Sequence, residues 1–337
     1  LAMTKVLFIS PYGEDYLADG LLHGLRSLLK ENVVDFPKCA HLYKNYVQES
    51  KVKLYGNGFT LYGLLEDIPV DRTEIDFKIR NGFFDLIIFP AIFKNFGLFI
   101  EFLPYLNFTN TAIIDGDDTP QPYGYAGKWW REPKWWFLPK AHQQFLYFKR
   151  EWTLETIRHF WFKLPPVFVC KYLPIPRNFR TISFSIPEEK IVKNLPQKTK
   201  LFPKHIVDVE IAKRIPGSTT SYAFESEAEY YSDLQISKFG ITTKRSGWDC
   251  LRHYEIAANG CVPCFRNLDD KPKTCAPHGL NRNNSIIYQN YDDLMRQIDK
   301  ISEEEYSRLR LAALTWVREN TTIQRAKNLL QIFKLDV

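Results

Sequence analysis

The sequence predicts an α/β chain of two doubly wound domains. Three observations predict it. Short uninterrupted apolar runs, such as KVLFI (5–9) and DLIIF (85–89), have the form of strands buried on both faces of a parallel sheet. Segments with apolar residues at helical spacing alternate with these runs, the grammar of strand–helix–strand units. The 337 residues suffice for two full cores, and a proline-rich interval (Pro165, Pro166, Pro174, Pro176, Pro187, Pro196, Pro203) marks the crossing between them.

In chain order, residues 5–9 form the first strand, the loop SPYGEDY follows, and Leu17, Leu21, Leu25, Leu28 and Leu29 recur at helical spacing. This unit lacks G-x-G-x-x-G, so a dinucleotide fingerprint is absent. Residues 33–36 read as a second strand. YGNGFTLY (55–62) reads as a loop, with Gly56 and Gly58 permitting tight turns. A helix is expected over 71–81 and strands over 85–89 and 112–115, the latter ending in DGDDTPQPYG. The C-terminal end of such a strand is where an open parallel sheet places ligands. Residues 145–148 read as a strand with Lys149, Arg150 and Glu151 at its end. In the second half a strand is expected at 206–209, a helix at 225–236, a strand at 238–242 and amphipathic helices at 292–300 and 303–317. A last helix, capped by Asn320 or Thr321, gathers Ile323, Ala326, Leu329, Leu330 and Phe333 on one face.

The stretch GWDCLRHYEIAANGCVPCF (247–265) organises the second half. Asp249 is placed to cap a helix, Arg252 and Glu255 share one face of it, Gly260 supplies the left-handed stop, and 261–265 read as a buried strand. Lys244 and Arg245 lie in the loop feeding the helix. A helix N-terminus with flanking cations suits a diphosphate, and a carboxylate one or two turns along suits ribose hydroxyls. Taken alone, Arg252 and Glu255 also fit a surface ion pair worth ~0.2–0.5 kcal/mol.

Arg252, Glu255, Gly260 and Pro263 fill the pattern R-x-x-E-x-x-x-x-G-x-x-P, which resembles the donor-nucleotide motif of GT-B glycosyltransferases, bacterial family-1-like and exostosin-like members above all. The likeness continues through PHGL (277–280), 285–288 and the terminal VRENTTIQRAKNLLQIF. Gly247 departs from it, standing where many retaining members carry a second glutamate. The resemblance implies two Rossmann-like domains facing a cleft, residues 1–175 for the acceptor and 176–318 for a nucleotide-sugar donor, with 319–337 as a helix crossing back to the first. It implies that Glu255 binds the ribose and that Lys244, Arg245 and Arg252 face the diphosphate; His253 and His278 are candidates to touch the donor, with a packed or solvated histidine the preferred reading. The acceptor is a glycan or lipid-linked hydroxyl, and no cofactor or metal is required. For an inverting reaction the proton acceptor comes from the rim of the first domain, where Asp15, Asp19 and Asp117 are the candidates. Each of them also reads as a cap or solvated turn acid.

Composition bounds the alternatives. The net charge of +6 is scattered among acids rather than gathered into a stripe, which argues against nucleic acid as a partner. A transferase acting on modified DNA bases and a non-catalytic nucleotide- or glycan-binding module stay as rival readings. Six cysteines spread over 337 residues suit a reducing cytoplasm. Cys261 and Cys264 form C-x-x-C within an apolar strand, which favours burial over zinc. Asp115, Asp117 and Asp118 resemble a D-x-D metal site, but loop solvation or acceptor binding is the preferred reading. Trp129, Trp130, Trp135 and Trp136 lie among cations and prolines, which suits a membrane interface, an aromatic lid or stacking of acceptor sugars. The apolar region 85–108 is interrupted by Lys94, Asn95 and Glu101 and lacks the ~20 uninterrupted residues of a membrane span. A cytoplasmic placement is expected, with the inner membrane face as the variant the tryptophans raise.

Overall fold

The computed structural model describes residues 3–122, 144–157, 169, 172–174, 176–221 and 224–336, the side chains of 48 and 49 excepted. Strands β1 (Val6–Ile9), β2 (Val33–Phe36), β3 (Leu86–Phe89), β4 (Thr111–Asp115), β5 (Leu146–Lys149) and β6 (Phe179–Thr181) form one parallel sheet in the order β2-β1-β3-β4-β5-β6. Alternate residues of β1 go to opposite cores: Val6 and Phe8 pack on one face, Leu7 and Ile9 on the other. That two-sided burial is why the run is uninterruptedly apolar. β6 belongs to this sheet although it lies past residue 175. The second sheet, among the described residues, is parallel β7 (Phe239–Thr243), β8 (Val262–Arg266) and β9 (Ile286–Tyr288).

Helices α1 (Tyr16–Leu29), α2 (Ile75–Arg80) and α3 (Ile92–Phe102) cover the first sheet. The second carries α4 (Val209–Arg214), α5 (Glu227–Gln235), α6 (Leu251–Ala258), α7 (Tyr291–Lys300) and α8 (Glu303–Arg318). The expected strand at 206–209 is not one. Asp208 accepts from the N–H groups of Glu210 (3.0 Å) and Ile211 (3.4 Å) and so starts α4, while Ile206 alone enters the core. A capping aspartate outweighs a short apolar run.

The last helix, α9 (Thr322–Ile332), is capped by Thr321 and crosses back onto α1 of the first lobe. His23 and Thr322 share a 2.9 Å hydrogen bond. The helices touch because α1 has no side chain at Gly24: a Cβ there would lie 2.0 Å from the Thr322 carbonyl oxygen and 3.1 Å from the Ala326 Cβ. Gly24→Ala should therefore lower stability by about 1–3 kcal/mol through overpacking, seen as a fall in the urea midpoint. An unchanged midpoint would contradict this packing.

Candidate active site

The first sheet winds away from β1 in both directions, so a crevice opens at its C-terminal edge. A cleft of about 470 Å³ lies there. One wall is built by Asp15 in the β1–α1 loop, Lys94 on α3, and Asp117 and Asp118 after β4. The other is the Arg245–Gly247 turn and the start of α6. Helix α6 begins without a side-chain cap, Cys250 standing at its N-cap position. Its first N–H groups and their partial positive charge are therefore presented where Cys250 and Leu251 border the cleft.

Asp249 does not cap the helix as expected. Its carboxylate accepts from the Phe184 N–H (2.8 Å) and the Tyr254 hydroxyl (3.0 Å), so it anchors α6 to the segment returning from the first sheet. Arg150, 1% exposed, completes the joint. It donates to the Gly116 carbonyl (2.9 Å), to Glu151 (2.9 Å) and to the Asp249 carbonyl (3.1 Å), and it pairs with Asp118. Glu151 in turn accepts from the Asp249 N–H at 2.9 Å. The D-x-D likeness dissolves into these bonds, since Asp115 is buried against Lys149 (3.2 Å) and the Tyr147 hydroxyl (2.5 Å).

Of the proton-acceptor candidates, Asp15 and Asp117 border the cleft. Asp15 caps α1, accepting from Leu17 (3.1 Å) and Ala18 (2.9 Å), and burial pushes its carboxyl up to about 6. Asp117 accepts from the Thr119 N–H at 2.7 Å, and burial raises it above the usual carboxylate range. Asp19 does not line the cleft: it is 1% exposed, engaged with His41, and accepts from the N–H of the lining residue Asp15.

Among the donor residues, Arg245 borders the cleft, whereas Lys244 lies 5.0 Å over the Trp248 ring. Arg252 does not line it; its guanidinium donates to His205 Nε2 at 2.7 Å. Glu255 is 4% exposed and accepts from two hydroxyls, Thr60 (2.5 Å) and Tyr230 (2.8 Å). Thr60 comes from the first lobe, so this carboxylate sits between lobes rather than in bulk water. His253 takes the packed alternative. It is a core residue whose Nε2 donates to the Trp248 carbonyl and whose Nδ1 meets the Thr242 hydroxyl, both at 2.9 Å. His278 does not line the cleft; its carbonyl accepts from the Trp316 indole at 2.8 Å. Trp129, Trp130, Trp135 and Trp136 lie outside the described residues. Cys261 and Cys264 are fully buried, and the Cys261 thiol donates to the Leu234 carbonyl at 2.9 Å. Among the described residues no helix is long and apolar enough to cross a membrane.

No protein-family model and no curated sequence matches the chain. Solved structures do. HepE of Anabaena, in complex with UDP and glucose, is similar over 98% of this chain and 99% of its own, with TM-score 0.55 and 7% identity. The fold is GT-B. A glycosyltransferase of Rickettsia africae (99% and 98% covered, TM-score 0.52, 11% identity) and a UDP-forming α,α-trehalose-phosphate synthase of Burkholderia vietnamiensis (99% and 98%, 0.52, 10%) are similar in the same way.

In this GT-B frame the sequence reading missed Thr60, Arg150, Glu151 and the true role of Asp249. The triplet Lys149-Arg150-Glu151 closing an apolar parallel strand was the available signal, because strand ends are where polar groups face ligands. The buried imidazole makes a pH prediction. Burial pushes His253 from its ordinary 6.5 down to about 3, so the unfolded chain binds a proton that the folded one refuses. The stability that His253 contributes is complete above its ordinary value. It falls by about 1.4 kcal/mol per pH unit as the pH drops below it, until the folded-state value is reached. His253→Gln should flatten this decline in urea titrations between pH 6.5 and about 3; an unchanged slope would contradict the assignment.

Proposed function

We propose that the protein transfers a sugar from a nucleotide-diphosphate donor to a hydroxyl of a glycan or lipid-linked acceptor. One observation carries the reading: across a single cleft, carboxylates at the sheet edge oppose Arg245 and an uncapped helix N-terminus. Breaking the sugar–phosphate bond leaves negative charge on the departing nucleotide. Arg245 and the first N–H groups of α6 meet that charge, and they do so most effectively where water is excluded. Charge compensation thus comes from the chain's own groups.

The acceptor hydroxyl must lose a proton, and Asp117 takes it. Its raised affinity for protons makes it a better base than an ordinary aspartate, whereas one oxygen of Asp15 is committed to the α1 cap. Glu255 receives the ribose. The two hydroxyls now on its carboxylate, from Thr60 and Tyr230, are the same donor type that a ribose diol offers. Thr60 thus stands in for the sugar until a nucleotide displaces it. The UDP held by HepE and the UDP-forming activity named for the Burkholderia synthase make uridine nucleotides the first donors to try.

A thermal-shift panel of UDP-, GDP-, ADP-, TDP- and CMP-linked sugars tests this. A ligand at a hundred times its dissociation constant adds about 2.7 kcal/mol of stability, and Arg245→Ala should weaken binding about tenfold. Asp117→Asn should keep the shift but slow release of free nucleotide to acceptor mixtures by about 10²–10⁴-fold. No shift with any nucleotide would refute the donor site, and full turnover by Asp117→Asn would refute the base. Binding with no turnover by the wild type would identify a non-catalytic binding module.

A further inference from the structure

We infer that Asp19, Cys39 and His41 form a site for one zinc-type divalent cation between the start of α1 and the loop after β2. The inference does not depend on the transferase reading. Asp19 lies in the first turn of α1, and Cys39 and His41 lie just past β2, so α1 and the β2 loop each bring part of the set. Asp19 and Cys39 are 1% and 4% exposed. Cys39 Sγ to His41 Nε2 is 3.3 Å, His41 Nε2 to Asp19 Oδ1 is 3.0 Å, and Cys39 Sγ to Asp19 Oδ1 is 3.7 Å. Tetrahedral zinc with Zn–S of about 2.3 Å and Zn–N and Zn–O of about 2.0–2.2 Å sets such ligands roughly 3.4–3.6 Å apart. The three separations differ from these by only a few tenths of an ångström, and because Cys39 Sγ also lies 4.0 Å from His41 Nδ1, the imidazole must turn to aim its Nε2 lone pair at the shared point.

A proton relay fits less well. In a relay the acid and the thiol would sit on different ring nitrogens, but here Asp19 Oδ1 is on Nε2 and Cys39 Sγ is nearer Nε2 (3.3 Å) than Nδ1 (4.0 Å). A single nitrogen cannot donate to a carboxylate and accept from a thiol at once. A shared cation satisfies all three lone pairs. Tyr62 adds an independent sign. It is 1% exposed, its ring lies 5.4 Å from that of His41, and its hydroxyl sits beside Asp19 without a hydrogen bond of proper geometry. A water on the cation's fourth position would supply the missing partner.

Thiolate, imidazole and carboxylate together suit zinc over magnesium or calcium, which prefer oxygen. On binding, the Cys39 thiol proton goes to solvent and the sulfur–metal bond forms. The cation would staple the start of α1 to the β2 loop. Asp19 Oδ2, which accepts from the Asp15 N–H at 3.0 Å, would pass that rigidity to the cleft rim.

Cobalt(II) titration of the chelator-treated full chain tests the site. The expected result is one equivalent bound, with a thiolate-to-cobalt charge-transfer band and the intense visible bands of tetrahedral cobalt, both removed by zinc. Cys39→Ser should abolish the charge-transfer band. His41→Gln should weaken binding at least ~10-fold, the lower end of what even an outer-shell change costs. Cys264→Ala, a buried thiol elsewhere, should leave the spectrum unchanged. Circular dichroism identifies any variant that fails to fold, in which case the other ligand variant gives the reading. Absence of a thiolate band in the wild type, or its survival in folded Cys39→Ser, would overturn the site.

Discussion

Arg150 is a buried cation, and the cleft is arranged around neutralising it. Burial alone would favour losing the proton, but Asp249, Glu151 and Asp118 reverse that and hold the guanidinium charged. Its bonds reach the Gly116 carbonyl in the first lobe and the Asp249 carbonyl just before α6 in the second. Deleting one partner of such a set leaves buried carboxylates uncompensated, at a cost of about 3–5 kcal/mol. The joint therefore fixes where the N-terminus of α6 stands relative to the end of β4. Gly247 follows from it. A Cβ at that position would lie 2.7 Å from carboxylate oxygens of both Asp118 and Glu151. Where many retaining GT-B members place a glutamate, this chain fills the space with acids from the opposite lobe.

The second constraint is Thr60. A β-branched residue at φ 70° is in a region such side chains avoid, at a cost on the order of 1–3 kcal/mol. Glu227, Tyr231 and Glu255 hold it there: the first accepts from its N–H, and the other two bracket its hydroxyl at 2.8 and 2.5 Å. A carboxylate buried between lobes must find donors, and burial already raises the Glu255 carboxyl. Those donors are the Thr60 and Tyr230 hydroxyls.

Much of the fold was legible because it rests on local physics. The apolar runs of β1 to β5 and β7 to β9 announce strands buried on both sides, and Thr321 and Gly260 punctuate their helices, Gly260 at φ 67°. The returning helix α9 was legible from one apolar face and the family likeness. The site was legible only in part. The helix that carries Arg252 and Glu255 could be read from the sequence, but the partners of Arg252, Glu255 and Asp249 could not. His205 takes Arg252, Thr60 takes Glu255, and Phe184 takes Asp249, each from a distant part of the chain. His253, a polar residue next to a binding motif, faces Thr242 and Phe265 in the core, the packed alternative its position left open. Sequence spacing gives the face of a helix, and the opposing surface decides what that face does.

The central claim is that a nucleotide's ribose replaces Thr60 on Glu255. Calorimetric affinities for UDP in Thr60→Ala and Glu255→Ala, measured beside the wild type, test it most directly. Removing the stand-in hydroxyl should tighten binding, and removing its carboxylate should weaken it. Affinities that stay equal, or that move in the same direction in both folded variants, would contradict the account.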